Sequence, residues 1–215
     1  LRANAYLIDQ LVRSIYDFAL CSVYPAANPT TGELLSITAT GGCGRGELAP
    51  FSDVDLMFLL PYKLTAHSEQ VVEYILYTLW DLGLKVGHAT RSIDEAIRLA
   101  KANVALFAKR SLRKNWQARN AQGGVVGEKF DPFARVGVYI PGGTAPLAST
   151  TLMTVTLAKV AGCREIVACT PCGKDGQVNT ALLAALGQAG ATEVYRVGGA
   201  QAIAAMACGT KTIRP

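Results

Sequence analysis

The chain is poor in histidine, in charge and in long apolar runs. His67 and His88 are its two histidines, so nothing after residue 88 offers an imidazole for zinc or for general-base work. No stretch of about 18 uninterrupted apolar residues occurs, which predicts no transmembrane helix and no membrane partner. Charged residues make up 17% against 50% hydrophobic ones, and the mean hydropathy is +0.24. That balance excludes extended disorder and supplies enough apolar surface for a sizeable core. The opening Leu1-Arg2-Ala3-Asn4 has no initiator Met and no signal-peptide apolar segment, and reads as cut from something longer. The six cysteines follow no regular framework, so the expectation is reduced thiols and a cytoplasmic location.

What is present is unevenly spread. The net charge is +5, but residues 1–102 sum to −3 and residues 103–215 to +8. Such asymmetry suggests two units with different tasks. A basic half suits either nucleic acid or a solvated surface; the second is the simpler reading, and no nucleic-acid partner is expected.

Hydrophobic spacing gives the elements. Leu7, Ile8, Leu11, Val12, Ile15, Phe18 and Ala19 predict an amphipathic helix over 4–23, followed by a loop at Asn28-Pro29-Thr30-Thr31-Gly32. Strands are expected over 34–40, 53–60 and 85–90, with helices over 67–83 and 93–102. Gly41 to Gly46 reads as a tight turn with open backbone. Trp116 to Gly127 is polar, with a turn at Gly123-Gly124. Beyond it the order is strand 135–140, helix 150–161, strand 165–170, helix 178–189, strand 193–197 and a helix to about Cys208. Strict alternation of strand and helix predicts a parallel sheet with right-handed crossovers.

The most informative run is Gly41-Gly42-Cys43-Gly44-Arg45-Gly46-Glu47-Leu48-Ala49-Pro50-Phe51-Ser52-Asp53-Val54-Asp55. Asp53 and Asp55 lie two apart on the predicted strand, so both side chains leave one face. Paired carboxylates repel unless a cation sits between them, and Mg²⁺ takes one or two carboxylates plus substrate phosphate oxygens. The glycine turn offers backbone N–H groups to phosphates, and Ser52 adds a hydroxyl. Together these parts suit metal-assisted nucleotidyl transfer, with Asp53 and Asp55 as catalytic metal ligands and Gly41, Gly42 and Ser52 binding the nucleotide. His88 reads as a structural residue at a strand end and His67 as a solvated residue near a helix start.

Residues 34 to 100 resemble the nucleotidyltransferase domain of bacterial PII-protein uridylyltransferase, the bifunctional uridylyl-removing enzyme. The resemblance rests on Gly44 to Pro50, Ser52 to Leu56 and Leu79-Trp80-Asp81-Leu82-Gly83-Leu84-Lys85-Val86-Gly87-His88. It implies an α+β nucleotidyltransferase fold of the DNA-polymerase-β type over 1–102, UTP as substrate, Mg²⁺ as cofactor and a PII-type signal protein as acceptor. Two positions depart from the family: Cys43 stands where it usually has Tyr, and Asn103 where it has a third carboxylate. A neutral amide is neither a base nor a full metal ligand, so nucleotide binding is the activity expected to survive best.

Residues 103 to 215 instead resemble L-histidinol dehydrogenase. Arg135 to Pro146, Leu157-Ala158-Lys159-Val160-Ala161-Gly162-Cys163 and Val197 to Ala204 carry this likeness. It implies a partial Rossmann-like βαβαβ sheet, with Tyr139 and Gln201 at positions that contact NAD. Strands that end in Gly-Gly turns suit a dinucleotide at their carboxyl ends. The family's zinc ligands and catalytic Glu-His pair have no counterpart in this sequence, so zinc is not expected and NAD binding is the most this half should do. Cys169-Thr170-Pro171-Cys172 is a lone Cys-x-x-Cys, read as core and loop thiols.

The overall expectation is an α/β chain of two enzyme fragments, 1–102 and 103–215, joined without a linker-like spacer. The leading function is Mg-dependent UTP binding or uridylyl transfer. The alternatives are an NAD-binding histidinol dehydrogenase fragment and a non-catalytic chimeric chain.

Overall fold

The computed structural model describes residues 1–26, 30–142 and 146–215. Asn28 and Pro29 of the expected loop lie outside the described residues, as do Gly143, Thr144 and Ala145 of the dehydrogenase-like motif. The chain is mixed α/β and divides into two compact units, Leu1–Ala96 and Ile97–Pro215.

The first unit begins with α1 (Arg2–Phe18), prolonged by a π-helical turn at Ala19–Val23. Its buried stripe is Ala5, Ile8, Val12, Ile15 and Ala19. Leu7 and Phe18, expected on that stripe, are exposed, because both fall to the flank of the three-four spacing that these five residues keep. Next come β1 (Ser36–Ala39), α2 (Gly41–Gly44), β2 (Val54–Leu60), α3 (Ala66–Asp81) and β3 (Val86–Ser92). The sheet runs β1-β2-β3, with β1 antiparallel and β3 parallel to β2. Every second residue of β2 is buried: Val54, Leu56, Phe58 and Leu60 pack with α1 and with Val71, Val72, Ile75, Leu76 and Leu79 of α3. Thr65 and Ser68 cap α3 reciprocally, each side chain taking the other's backbone N–H.

The glycine run takes the form of a single helical turn. Gly41 to Gly44 close one helical turn, in which Gly44 N–H donates to Thr40 O at 2.9 Å and Glu47 N–H to Gly42 O at 2.9 Å.

Helix α4 (Ile93–Ser111) is longer than the expected 93–102 and runs through the join. Ser92 and Glu95 box its start, with Ser92 N–H donating to Glu95 Oε2 at 2.8 Å and Glu95 N–H to Ser92 Oγ at 3.2 Å. Nothing at 102–103 stops a helix; Lys101-Ala102-Asn103-Val104-Ala105 has neither Gly nor Pro.

The second unit holds a hairpin, β4 (Trp116–Arg119) with β5 (Val125–Glu128), in the segment read as merely polar. Asn120 Oδ1 accepts from the N–H groups of Gln122 and Gly124 and so sets the turn. The main sheet is β6 (Arg135–Tyr139), β7 (Glu165–Cys169) and β8 (Glu193–Tyr195), in that order and all parallel. Helices α5 (Ala148–Ala161), α6 (Thr180–Ala189) and α7 (Gly199–Cys208) alternate with the strands. Ile166 and Ala168 face one core with α5 and α6, while Val167 and Cys169 face the other with Ala202 and Ile213. Alternate residues of β7 thus fill opposite cores, the condition under which a parallel strand reads as one apolar run.

Candidate functional site

In the first unit α2 and β2 bring one pair of the expected residues, Gly41 and Asp55, together. Asp53 immediately precedes β2 and is exposed; Asp55 lies in β2, half-buried, on the face opposite Phe58. Ser52 is exposed beside them. Thr40, which leads into α2, donates its backbone N–H to Asp55 O at 2.9 Å and its hydroxyl to the same oxygen at 3.4 Å. These bonds tie the start of the glycine turn to the backbone of Asp55.

The carboxylate of Asp55 lies between two glycines. A Cβ on Gly41 would stand 2.5 Å from Asp55 Oδ2, and one on Gly87 would stand 2.6 Å from Oδ1. Gly41 also has φ +57°, the left-handed conformation that glycine takes freely. Gly42 is half-buried, and a Cβ added there would meet Glu47 O at 3.3 Å. The reading of the sequence named Gly41 and Gly42 but no role for Gly87, because the β2–β3 register that pairs it with Asp55 is not written in local spacing.

Cys43, which stands where the resembled family usually has Tyr, is buried within the core of this unit. Burial pushes its thiol up, and the charges of Asp9 and Asp55 push the same way, so it stays protonated. It borders a cleft of about 310 Å³ between α1 and β1, with Asp9, Arg13 and Tyr16.

Among the described residues no group of three or more His, Cys, Asp or Glu is placed to hold a metal. Asp53 and Asp55 supply two carboxylates. That donor set fits Mg²⁺ when phosphate oxygens complete the shell, and does not make an all-protein cage. Asn103 is exposed on α4.

Two expectations about histidine need correction. His67 is not solvated: it is half-buried, its Nε2 lies 2.9 Å from Tyr24 O, and Nδ1 is buried without a hydrogen-bond partner among the described residues. A carbonyl only accepts, so Nε2 carries the proton there. His88 is not at a strand end but inside β3, paired with Leu56, exposed and edge-on to the Trp80 ring at 6.1 Å.

In the second unit Tyr139 and Gln201 converge on Gly199. Gly199 N–H donates to Tyr139 Oη at 3.0 Å. A Cβ on Gly199 would meet Gln201 Oε1 at 2.7 Å. Tyr139 ends β6 half-buried and Gln201 is exposed in the first turn of α7, so the pair sits at the carboxyl edge of the parallel sheet. The opposite edge carries ions instead: Arg135, the first residue of β6, pairs with Glu165 and Glu193, the first residues of β7 and β8. All six cysteines are free; Cys169 is buried in β7 and Cys172 is exposed in the following loop.

Comparison with known proteins finds two families, whose matches overlap over residues 81–115. The nucleotidyltransferase domain profile matches residues 30–115. The bifunctional uridylyltransferase/uridylyl-removing enzyme of Azospirillum brasilense is 63% identical over 105 residues, 49% of this chain and 11% of that protein. The enzyme of the same name from Rhodospirillum rubrum is 60% identical over 103 residues, again 11% of its length. The chain therefore spans about a tenth of these curated relatives. The crystal structure of histidinol dehydrogenase from Elizabethkingia anophelis matches 96% of this chain and 40% of its own, with a TM-score of 0.53 and 25% identity. No described helix is long and apolar enough to cross a membrane. The histidinol dehydrogenase profile matches residues 81–215, more than half of the sequence, so the chain belongs to the histidinol dehydrogenase family while also carrying, over residues 30–115, a stretch similar to the nucleotidyltransferase domain.

Proposed function

We propose that the first unit binds UTP with Mg²⁺ and is built for uridylyl transfer to a PII-type signal protein. The observation that carries this reading is the Asp55 carboxylate held between Gly41 and Gly87 beside the exposed Asp53. When bound, Mg²⁺ would neutralise phosphate charge and favour departure of pyrophosphate. Asp53 and Asp55 would hold it, Thr40 fixes the backbone of Asp55, and Gly41 and Gly42 keep side chains out of the space a triphosphate needs. Ser52 would donate its hydroxyl to a phosphate oxygen. Asn103 supplies no base, so nucleotide binding is expected to exceed transfer. Calorimetric titration with UTP tests this: saturable binding should require Mg²⁺ and vanish in Asp53→Ala. Binding of equal strength without metal would sink the reading.

A second reading, NAD binding by the second unit, rests on Tyr139 and Gln201 meeting at Gly199. Tyr139 offers a ring face and a hydroxyl, and Gln201 an amide, to a dinucleotide at the carboxyl edge. No residue past 88 is a histidine, so dehydrogenation by this chain's own imidazole is not part of the proposal. A rise in thermal midpoint with millimolar NAD, lost in Gln201→Ala, is the expected result.

A further inference from the structure

Asp55 and Gly87 are partners in register across the parallel β2–β3 pair. Side chains of such partners leave the same face of the sheet. At Gly87 there is none, and the Asp55 carboxylate leans into the space, so that an added Cβ would lie 2.6 Å from Oδ1. The other oxygen is bounded by Gly41, where an added Cβ would lie 2.5 Å away. The main chain of Asp55 is held by the Thr40 N–H at 2.9 Å. The carboxylate therefore has a fixed backbone and a glycine on each side.

The two glycines are not equivalent. Gly41 has φ +57°, so a substitution there strains the backbone as well as striking Asp55. Gly87 has no positive φ, is exposed and sits within a strand. An alanine at 87 fits the backbone and meets Asp55 alone. A strand interior favours alanine over glycine on entropic grounds, so packing for its own sake does not call for glycine at this position.

We propose that Gly87 is a positioning residue: its missing side chain lets the Asp55 carboxylate lie over β3, in the orientation that receives a nucleotide-bound divalent cation. The metal part rests on the reading of Asp53 and Asp55 given above; the contact between Gly87 and Asp55 does not. Through Asp55, residue 87 governs metal-dependent nucleotide affinity without touching the nucleotide.

Four full-length proteins test it: the wild type, Gly87→Ala, Asp55→Ala and the double variant. Each is titrated with UTP in the presence of Mg²⁺, and each is melted without metal or nucleotide. Gly87→Ala should keep its fold by circular dichroism and lose roughly tenfold or more in Mg-dependent UTP affinity, the size typical of second-sphere changes around a metal. In melting, Gly87→Ala should be more favourable in the Asp55→Ala background than in the wild type, because the clash has been removed. Wild-type UTP affinity in Gly87→Ala overturns the positioning role. Additive melting shifts overturn the contact itself. A wild type that binds UTP equally well without Mg²⁺ overturns the metal reading alone, and the melting cycle then still decides whether residue 87 places Asp55.

Discussion

Strands β2 and β7 are both central, yet they are covered differently. Strand β2 buries Val54, Leu56, Phe58 and Leu60 against helices and leaves Asp55, Met57 and Leu59 half-exposed. Strand β7 buries Ile166, Val167, Ala168 and Cys169 in a row, with helical cover on both faces. A strand with one open face can hold a carboxylate in its middle. A strand covered on both faces cannot, so its chemistry moves to its ends and to the helix starts beside them. Asp55 lies within its strand, whereas Tyr139 and Gln201 lie at the carboxyl edge of the other sheet.

The comparison breaks first at the open and closed faces. Val167→Asp should prevent folding of the second unit, since an unpaired carboxylate in such a core costs several kcal/mol. Met57→Asp, on the half-exposed face of β2, should cost about 1 kcal/mol. Chemical denaturation followed by circular dichroism compares them; equal losses would erase the distinction. Next in size is binding. Asp55→Ala should abolish Mg-dependent UTP binding and leave the NAD response unchanged, whereas Tyr139→Phe should do the reverse and lower NAD affinity about fivefold, roughly 1 kcal/mol for one hydrogen bond. Parallel titrations of both variants with both ligands would expose any cross-effect.

Much of this was legible in the sequence. Helices α1 and α3 announce themselves by spacing, and the alternation of strand and helix after residue 135 predicts the parallel sheet found there. Asp53, Asp55 and the glycine turn are adjacent in sequence, so local reasoning reaches them. What escaped depends on partners far along the chain. Gly87 matters only through the register that sets it beside Asp55. His67 begins α3 as expected, but it looks solvated until Tyr24 O appears next to its ring. The β4–β5 hairpin hides for another reason: all its residues are exposed, so no apolar alternation marks it. The length of α4 is hard to read from spacing because, of its 19 residues, only Ile97 and Ala108 are buried.

The smallest expected effect lies at the amino edge of the parallel sheet, away from Tyr139. Glu193 accepts from Arg135 Nη1 at 2.7 Å and Nη2 at 3.1 Å, and from Tyr195 Oη at 2.8 Å. The Arg135 guanidinium first, then the Tyr195 hydroxyl, hold its carboxyl down to about 2 from an ordinary value near 4.5. Arg135 is raised in turn, chiefly by its hydrogen bonds to Glu193. A depressed carboxyl favours the folded state when ionised, so its contribution is complete above about 4.5 and drains away as the pH falls toward 2. The Glu193 side chain is 29% exposed, so solvent screens the pair and the effect stays modest. Glu193→Gln keeps the shape but removes the charge. Its melting temperature should fall slightly at neutral pH, and its slope between pH 4.5 and 2 should be shallower than that of the wild type. NAD binding at neutral pH should not change, because Glu193 begins its strand at the edge opposite Tyr139. Identical acid profiles for the two proteins would show that the network orders the strand starts without stabilising them, and would leave the carboxyl edge as the one end of this sheet where polar groups do more than pack.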